Sequence, residues 1–202
     1  MINGIIFLDA GHGGGDHGAS SRKLMEKDVN LTLCGKLHDE FLDNDFLPVM
    51  TRATDHRVNL KERCAYPNGI YKSFTDEMKD LSIFVSIHCN ADPDEDEIGM
   101  PEAFGKEIWY YKAGLDLAYY LKNHAEKIFP DERFRGTKKT DELYVLWHTL
   151  MPAILIEVGF IDRVEMNEKL RKNLYLTRLT KWVVAGVTEY LIDVKNSLMK
   201  EE

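Results

Sequence analysis

Three short apolar runs constrain what this chain can fold into. Ile5-Ile6-Phe7-Leu8-Asp9-Ala10 leads into Gly11-His12, Ile83-Phe84-Val85-Ser86-Ile87 into His88, and Ala153-Ile154-Leu155-Ile156 into Glu157. Runs of this length and composition predict buried strands. Between and after them the apolar period changes. Val29, Leu33, Leu37 and Phe41 fall four apart and predict a helix over 26–43. Leu117, Tyr120, Leu121 and Ile128 do the same for 114–129, and two helices near 162–172 and 175–197 close the chain. Further strands are expected at Leu47 to Thr51, Glu107 to Tyr111 and Leu143 to Leu146. Residues 11–25 read as a loop. A helix starting near Val58 is expected to break at Pro67-Asn68-Gly69. The segment 70–80 carries no clear signal. Strands alternating with helices predict a layered α/β domain.

The bulk numbers narrow the function classes. A chain of 202 residues can bury one sizeable core. Its net charge of −8 argues against nucleic acid as a partner, since phosphate binding needs a cationic footprint. It also provides no long-range attraction to an anionic wall or membrane. Cys34, Cys64 and Cys89 lie far apart and read as free thiols. No apolar stretch is long enough to span a bilayer. Met1-Ile2-Asn3-Gly4 runs straight into the first strand, so no secretory signal is expected. Without repeats or linkers, residues 1–202 are expected to form a single domain; the sequence does not set the oligomeric state, and a monomer is the default expectation.

Strand ends are where open α/β sheets bind ligands, and here they carry His12, His88 and Glu157. Catalytic zinc takes three protein ligands, often histidine and carboxylate, and leaves one position for water. His12, His88 and one glutamate would satisfy it. Glu26 and Glu157 compete for that place, and the other would be free as a general base. Spacing does not assign the two roles. Glu26 also stands where a carboxylate favours the helix dipole. Glu157 interrupts an apolar strand, and a buried unpaired carboxylate is costly. It is therefore paired, lines a site, or points to water from an edge strand.

Rival motifs fail on context. Gly13-Gly14-Gly15-Asp16-His17-Gly18 matches the G-x-G-x-x-G dinucleotide fingerprint in form only. No helix opens at its last glycine, and no Gly-Lys-Ser/Thr ending supports a phosphate loop. His17 is the nearest rival to His12, but a loop histidine beside an aspartate is usually solvated. His38, His56, His124 and His148 have no partner signature. Cys89 adjoins His88, yet successive strand residues point to opposite faces. Asp92, Asp94 and Asp96 suggest a calcium loop, but Glu97 stands where that loop requires glycine.

Taken together, Leu8-Asp9-Ala10-Gly11-His12-Gly13-Gly14, Glu26-Lys27-Asp28-Val29-Asn30-Leu31, Thr51-Arg52-x-x-Asp55, Leu60-x-x-Arg63, Ser86-Ile87-His88-Cys89-Asn90, Arg135-Gly136 and Pro152-Ala153-Ile154-Leu155-Ile156-Glu157-Val158-Gly159-Phe160 resemble one family. It is the zinc-dependent N-acetylmuramoyl-L-alanine amidases of the amidase-3 type, matched in order along nearly the whole chain. The resemblance implies a twisted, mainly parallel sheet of about six strands flanked by helices. It implies that His12, Glu26 and His88 are the zinc ligands and Glu157 the catalytic glutamate. The implied substrate is peptidoglycan, cut between the lactyl group of N-acetylmuramic acid and the L-alanine of the stem peptide.

The chain departs from the family pattern at Cys89, where a small residue is common, and in a longer segment after Arg63 that carries Pro67. Many relatives carry a signal peptide or a wall-binding module, and neither is read here. The rival functions are a zinc peptidase cutting within the stem and a non-catalytic wall-binding module. The implied settings are a phage lysin, an autolysin freed by mother-cell lysis, or an excised catalytic domain.

Overall fold

The computed structural model describes residues 2–92 and 103–201. The strands are β1 (Ile5–Ala10), β2 (Ser20–Ser21), β3 (Leu24–Met25), β4 (Leu47–Met50), β5 (Ser82–Asn90), β6 (Lys106–Tyr111), β7 (Phe134–Lys139) and β8 (Ala153–Phe160). The α-helices are α1 (Glu26–Asp43), α2 (Leu60–Lys72), α3 (Asp76–Asp80), α4 (Leu115–Ile128), α5 (Tyr144–His148), α6 (Val164–Leu170) and α7 (Asn173–Glu201). Six strands form one sheet in the order β4-β1-β5-β8-β6-β7. All its neighbouring pairs are parallel except β6 with β8. The three apolar runs are β1, β5 and β8, which lie side by side at its centre.

Strand alternation sorts these runs between two apolar layers. Ile6, Leu8 and Ala10 of β1, Ile83, Val85, Ile87 and Cys89 of β5, and Ile154, Ile156 and Val158 of β8 join the larger cluster. That cluster lies under α1, α4 and α7 and includes the fully buried Trp182, whose Nε1 donates to Leu121 O at 2.7 Å. Ile5, Phe7, Phe84, Ala153 and Leu155 join the smaller cluster with Cys64, Val145 and Leu146 of α2 and α5. By the same alternation Asp9, Ser86, His88 and Glu157 fall on the face of the smaller layer. The polar residues thus share one face of the sheet, towards the C-terminal ends of β1 and β5.

The structure departs from the sequence expectations in several places. Helix α2 does not break at Pro67 but runs through it to Lys72. Proline costs a helix one hydrogen bond and a clash one turn back. Here burial of Cys64 and Pro67 offsets that, and Asn68 ties the helix to the segment after α5 through His148 O and Leu150 N. The strand expected at Leu143 to Leu146 is helix α5, a short apolar run whose period alone does not separate the two states. β7 was not expected, because Phe-Arg-Gly-Thr-Lys-Lys is the polar sequence of an edge strand. The loop over 11–25 contains the β2–β3 hairpin. Glu157 is also not a strand terminus: β8 continues to Phe160. Beyond Asp92, the acidic loop and the rest of the rejected calcium motif lie outside the described residues.

Candidate metal centre

His12 leaves β1 in a left-handed backbone conformation, φ 61°, which is unfavourable for a residue with a Cβ. Two arginines hold this turn by its carbonyl oxygens. Arg63 donates to Ala10 O at 2.6 Å and to His12 O at 2.5 Å. Arg52 donates to Ala10 O at 2.9 Å, to Gly11 O at 3.0 Å and to Lys27 O at 2.8 Å. Arg63 also meets Asp9 at 2.7 Å, and that carboxylate accepts from Thr51 and Ser86. Both arginines and Asp9 are buried. The turn is therefore fastened to β1, β5 and the start of α1.

Glu26 opens α1, directly after the β2–β3 hairpin, and its carboxylate is buried. It accepts from Ala19 N at 2.8 Å and Cys89 N at 3.0 Å. The same carboxylate lies between the two histidines, with Oε2 3.2 Å from His12 Nε2 and Oε1 2.9 Å from His88 Nδ1. Donor atoms of His12, Glu26 and His88 lie within 4.8 Å of one another, and these three are the group among the described residues that could hold a metal. The other imidazole nitrogen of His12, Nδ1, meets Asp16 at 2.9 Å. A carboxylate in that position sets the ring's orientation and leaves Nε2 for a cation.

Backbone packing keeps the cluster open. A Cβ on Gly11 would overlap the His88 ring, and one on Gly18 would overlap Glu26 Oε2 and the His12 ring. Two imidazoles and one carboxylate on three separate elements form the donor set of a catalytic zinc site. The residues present fit that ion.

Electrostatics agree with this geometry. Burial works against the Glu26 charge, but hydrogen bonds from His12 and His88 outweigh it and hold the carboxyl far below its usual range. The hydrogen bond to Glu26 raises His12. His88 is also raised, because Glu26 and the charge of Glu157 together outweigh its burial. Glu157 stands in register with His88 across β5 and β8. Burial pushes its carboxyl up to about 7, against the pull of His88. Its Oε2 is buried and has no hydrogen-bond partner among the described residues. A carboxylate in that state fits a group that exchanges a proton near neutral pH.

Every site residue expected from the sequence therefore lies in one place. The rivals do not join them. His38 pairs with Asp39, His56 with Thr54 and His124 with Glu189, while His148 stacks on Tyr144. Cys89 turns to the opposite side of β5, and burial pushes its thiol well above its ordinary range. Sequence reasoning missed Asp9, Asp16, Arg52 and Arg63 as supports of the His12 turn. Asp9 had the same signal as Glu157, a carboxylate inside an apolar run. The arginines lay in matched motifs, but nothing in their spacing revealed that they hold backbone carbonyls.

A mainly parallel α/β sheet with a His/Glu/His cluster that could hold a metal ion, and a buried carboxyl beside it, is an arrangement suited to a hydrolase. The family model described as N-acetylmuramoyl-L-alanine amidase, Amidase_3, matches residues 6–189. The N-acetylmuramoyl-L-alanine amidase CwlM of Bacillus licheniformis is 32% identical over 197 residues, 95% of this chain and 70% of that protein. The endolysin of Bacillus phage SPP1 is 28% identical, over 93% of this chain and 66% of that protein. The structure of the N-acetylmuramoyl-L-alanine amidase AmiC2 of Nostoc punctiforme superposes with a TM-score of 0.82 at 29% identity, covering 94% of this chain and 97% of that one. The chain belongs to the N-acetylmuramoyl-L-alanine amidase family. It is a peptidoglycan amidase, acting on the bond between the muramyl lactyl group and L-alanine.

Proposed function

We propose that the enzyme works with a zinc ion held by His12, Glu26 and His88, and with Glu157 as its catalytic glutamate. The observation that carries this reading is the orphaned Oε2 of Glu157, buried beside His88 on the face where the three donors meet. Zinc in such a site lowers the pKa of water to about 7 and polarises a carbonyl as a Lewis acid. Glu157 accepts a proton from the water that attacks the lactyl carbonyl. It then delivers that proton to the departing L-alanine nitrogen, so it ends the cycle as it began. Its raised proton affinity suits both halves, since a carboxyl near pH 7 both accepts and releases. Asp16 keeps the His12 ring in place, and Arg63 and Arg52 keep its backbone in place.

Residues 1–202 act as one catalytic unit in this reading, as a monomer. The phage endolysin among the relatives supports a setting in which the enzyme meets the wall after release from a cell. Among the described residues no helix is long and apolar enough to cross a membrane.

The test is digestion of purified peptidoglycan by zinc-loaded and chelated protein, with mass analysis of the fragments. Free stem peptides beginning with L-alanine, released only with the metal present, are expected. Fragments cut within the stem would mean a zinc peptidase. Undiminished activity after removal of the metal, or binding without cleavage, would overturn the mechanism.

A further inference from the structure

The polar row on this face of the sheet continues past Glu157. On the antiparallel neighbour β6, Glu107 stands directly opposite Glu157, so the two side chains share a face. Glu107 is buried at 1% exposure. Arg135 Nε and Lys138 Nζ of β7 both meet its Oε1, the lysine at 2.8 Å, and Asn90 donates to Oε2 at 3.5 Å. Two cations thus share one buried carboxylate, which leaves this cluster with an excess positive charge. Both cations are partly open to solvent, with side chains 26% and 31% exposed.

The Arg135 guanidinium lies over Phe160 at 5.3 Å, and Lys138 over Trp109 at 4.8 Å. Stacking sets the plane of the guanidinium. Only its Nε is engaged with Glu107; its terminal amino groups donate no hydrogen bond among the described residues. A fixed guanidinium with free parallel N–H groups matches a carboxylate.

We propose that Arg135, backed by Lys138, is a subsite for a carboxylate on the leaving stem peptide. This rests on the amidase reading above. Neighbouring strands lie about 4.8 Å apart, so β7 is about 10 Å from β8 and its Glu157. An extended peptide advances about 3.3–3.6 Å per residue. A carboxylate on the second stem residue therefore lies about 7 Å from the scissile nitrogen, and the inward lean of Arg135 towards Glu107 closes the remainder. In peptidoglycan stems that group occurs as a free acid or as its amide. The subsite favours the acid, because an amide offers one acceptor oxygen and no charge.

The test compares two soluble probes, muramyl-L-alanyl-D-glutamate and muramyl-L-alanyl-D-isoglutamine, both capped as methylamides at the γ-carboxyl so that they differ only at the α-carboxyl, with zinc-loaded protein. The readout is the ratio of kcat/KM for acid over amide, taken within each variant so that any loss of folded protein cancels. Wild type is expected to favour the acid about tenfold, the scale of one charge-assisted hydrogen bond. Arg135→Gln should bring the ratio close to one, Lys138→Gln should lower it partway, and Arg135→Lys should retain part of it. High salt should shrink the preference, because the cations are partly exposed. A wild-type ratio near one, or a ratio unchanged by Arg135→Gln, overturns the subsite while leaving the amidase reading intact. Wild-type protein that frees no L-alanyl peptide from either probe overturns the amidase reading and the subsite with it.

Discussion

Replacing Arg63 with methionine should destabilise the metal-free protein severely and loosen the metal site as well. Asp9 is fully buried, and Arg63 is its cationic partner at 2.7 Å. Removing one member of a buried ion pair leaves the other charge unpaired, at a cost of about 3–5 kcal/mol. For a domain of this size each kcal/mol shifts Tm by about 2–4 °C, so a fall of about 6–20 °C is expected. The hydroxyls of Thr51 and Ser86 still donate to Asp9, at 2.6 and 2.7 Å, which favours the lower half of that range. The measurement is chemical and thermal unfolding in excess chelator, so that metal binding does not mask the loss.

The same substitution removes the donor on His12 O and one of the two on Ala10 O, so the left-handed turn at His12 relaxes and zinc affinity should fall. The double variant Asp9→Asn/Arg63→Met tests the cause, because it deletes the orphaned charge. It should recover at least about half of the lost stability while zinc affinity stays weak. A loss below about 1 kcal/mol for Arg63→Met, or no recovery in the double variant, would refute the argument that a buried charge pair anchors this turn.

Other outcomes follow from the same geometry. Glu157→Gln should keep zinc, by metal analysis, and lose about 10²–10⁴ in kcat, the usual contribution of one positioned acid–base group; near-full turnover would remove Glu157 from the reaction. Glu26→Ala and His12→Ala should instead lose the metal. Zinc affinity should weaken as pH falls. His12 and His88 have raised proton affinities, through Glu26 for His12 and despite burial for His88, so each holds a proton below its raised value and releases it above. Because the metal needs neutral imidazoles, binding should release protons and tighten as pH rises through the raised imidazole values. Calorimetry in buffers of different ionisation enthalpy would show this, and pH-independent affinity without proton release would contradict it. Gly18→Ala should lower zinc affinity, because the added methyl group meets Glu26 and His12 and φ there is +63°. Titration against a competing chelator would detect the change, and unaltered affinity would mean that the cradle yields.

The sequence alone determined the central sheet, because strands buried on both faces need apolar runs, as β1, β5 and β8 each carry. It also exposed the polar residues that break such runs, since a carboxylate or imidazole in a buried strand requires a reason. Order along the chain, set against a known family pattern, then gave the expectation that Glu26 is a metal ligand and Glu157 the catalytic glutamate. What the sequence left undecided depended on contacts between distant segments. Pro67 stays helical because its neighbours are buried and Asn68 ties its helix down, not because of local propensity. β7 is polar because it sits at the edge of the sheet, and strand patterning fades where only one neighbour supplies the ladder. Arg52 and Arg63 act together on three carbonyls of one turn, and Arg63 is held by Asp9, 54 residues away. The pairing of Glu107 with Glu157 depends on the antiparallel register of two strands separated by some fifty positions. Only the folded sheet brings those carboxylates side by side, with Arg135 and Lys138 next to them.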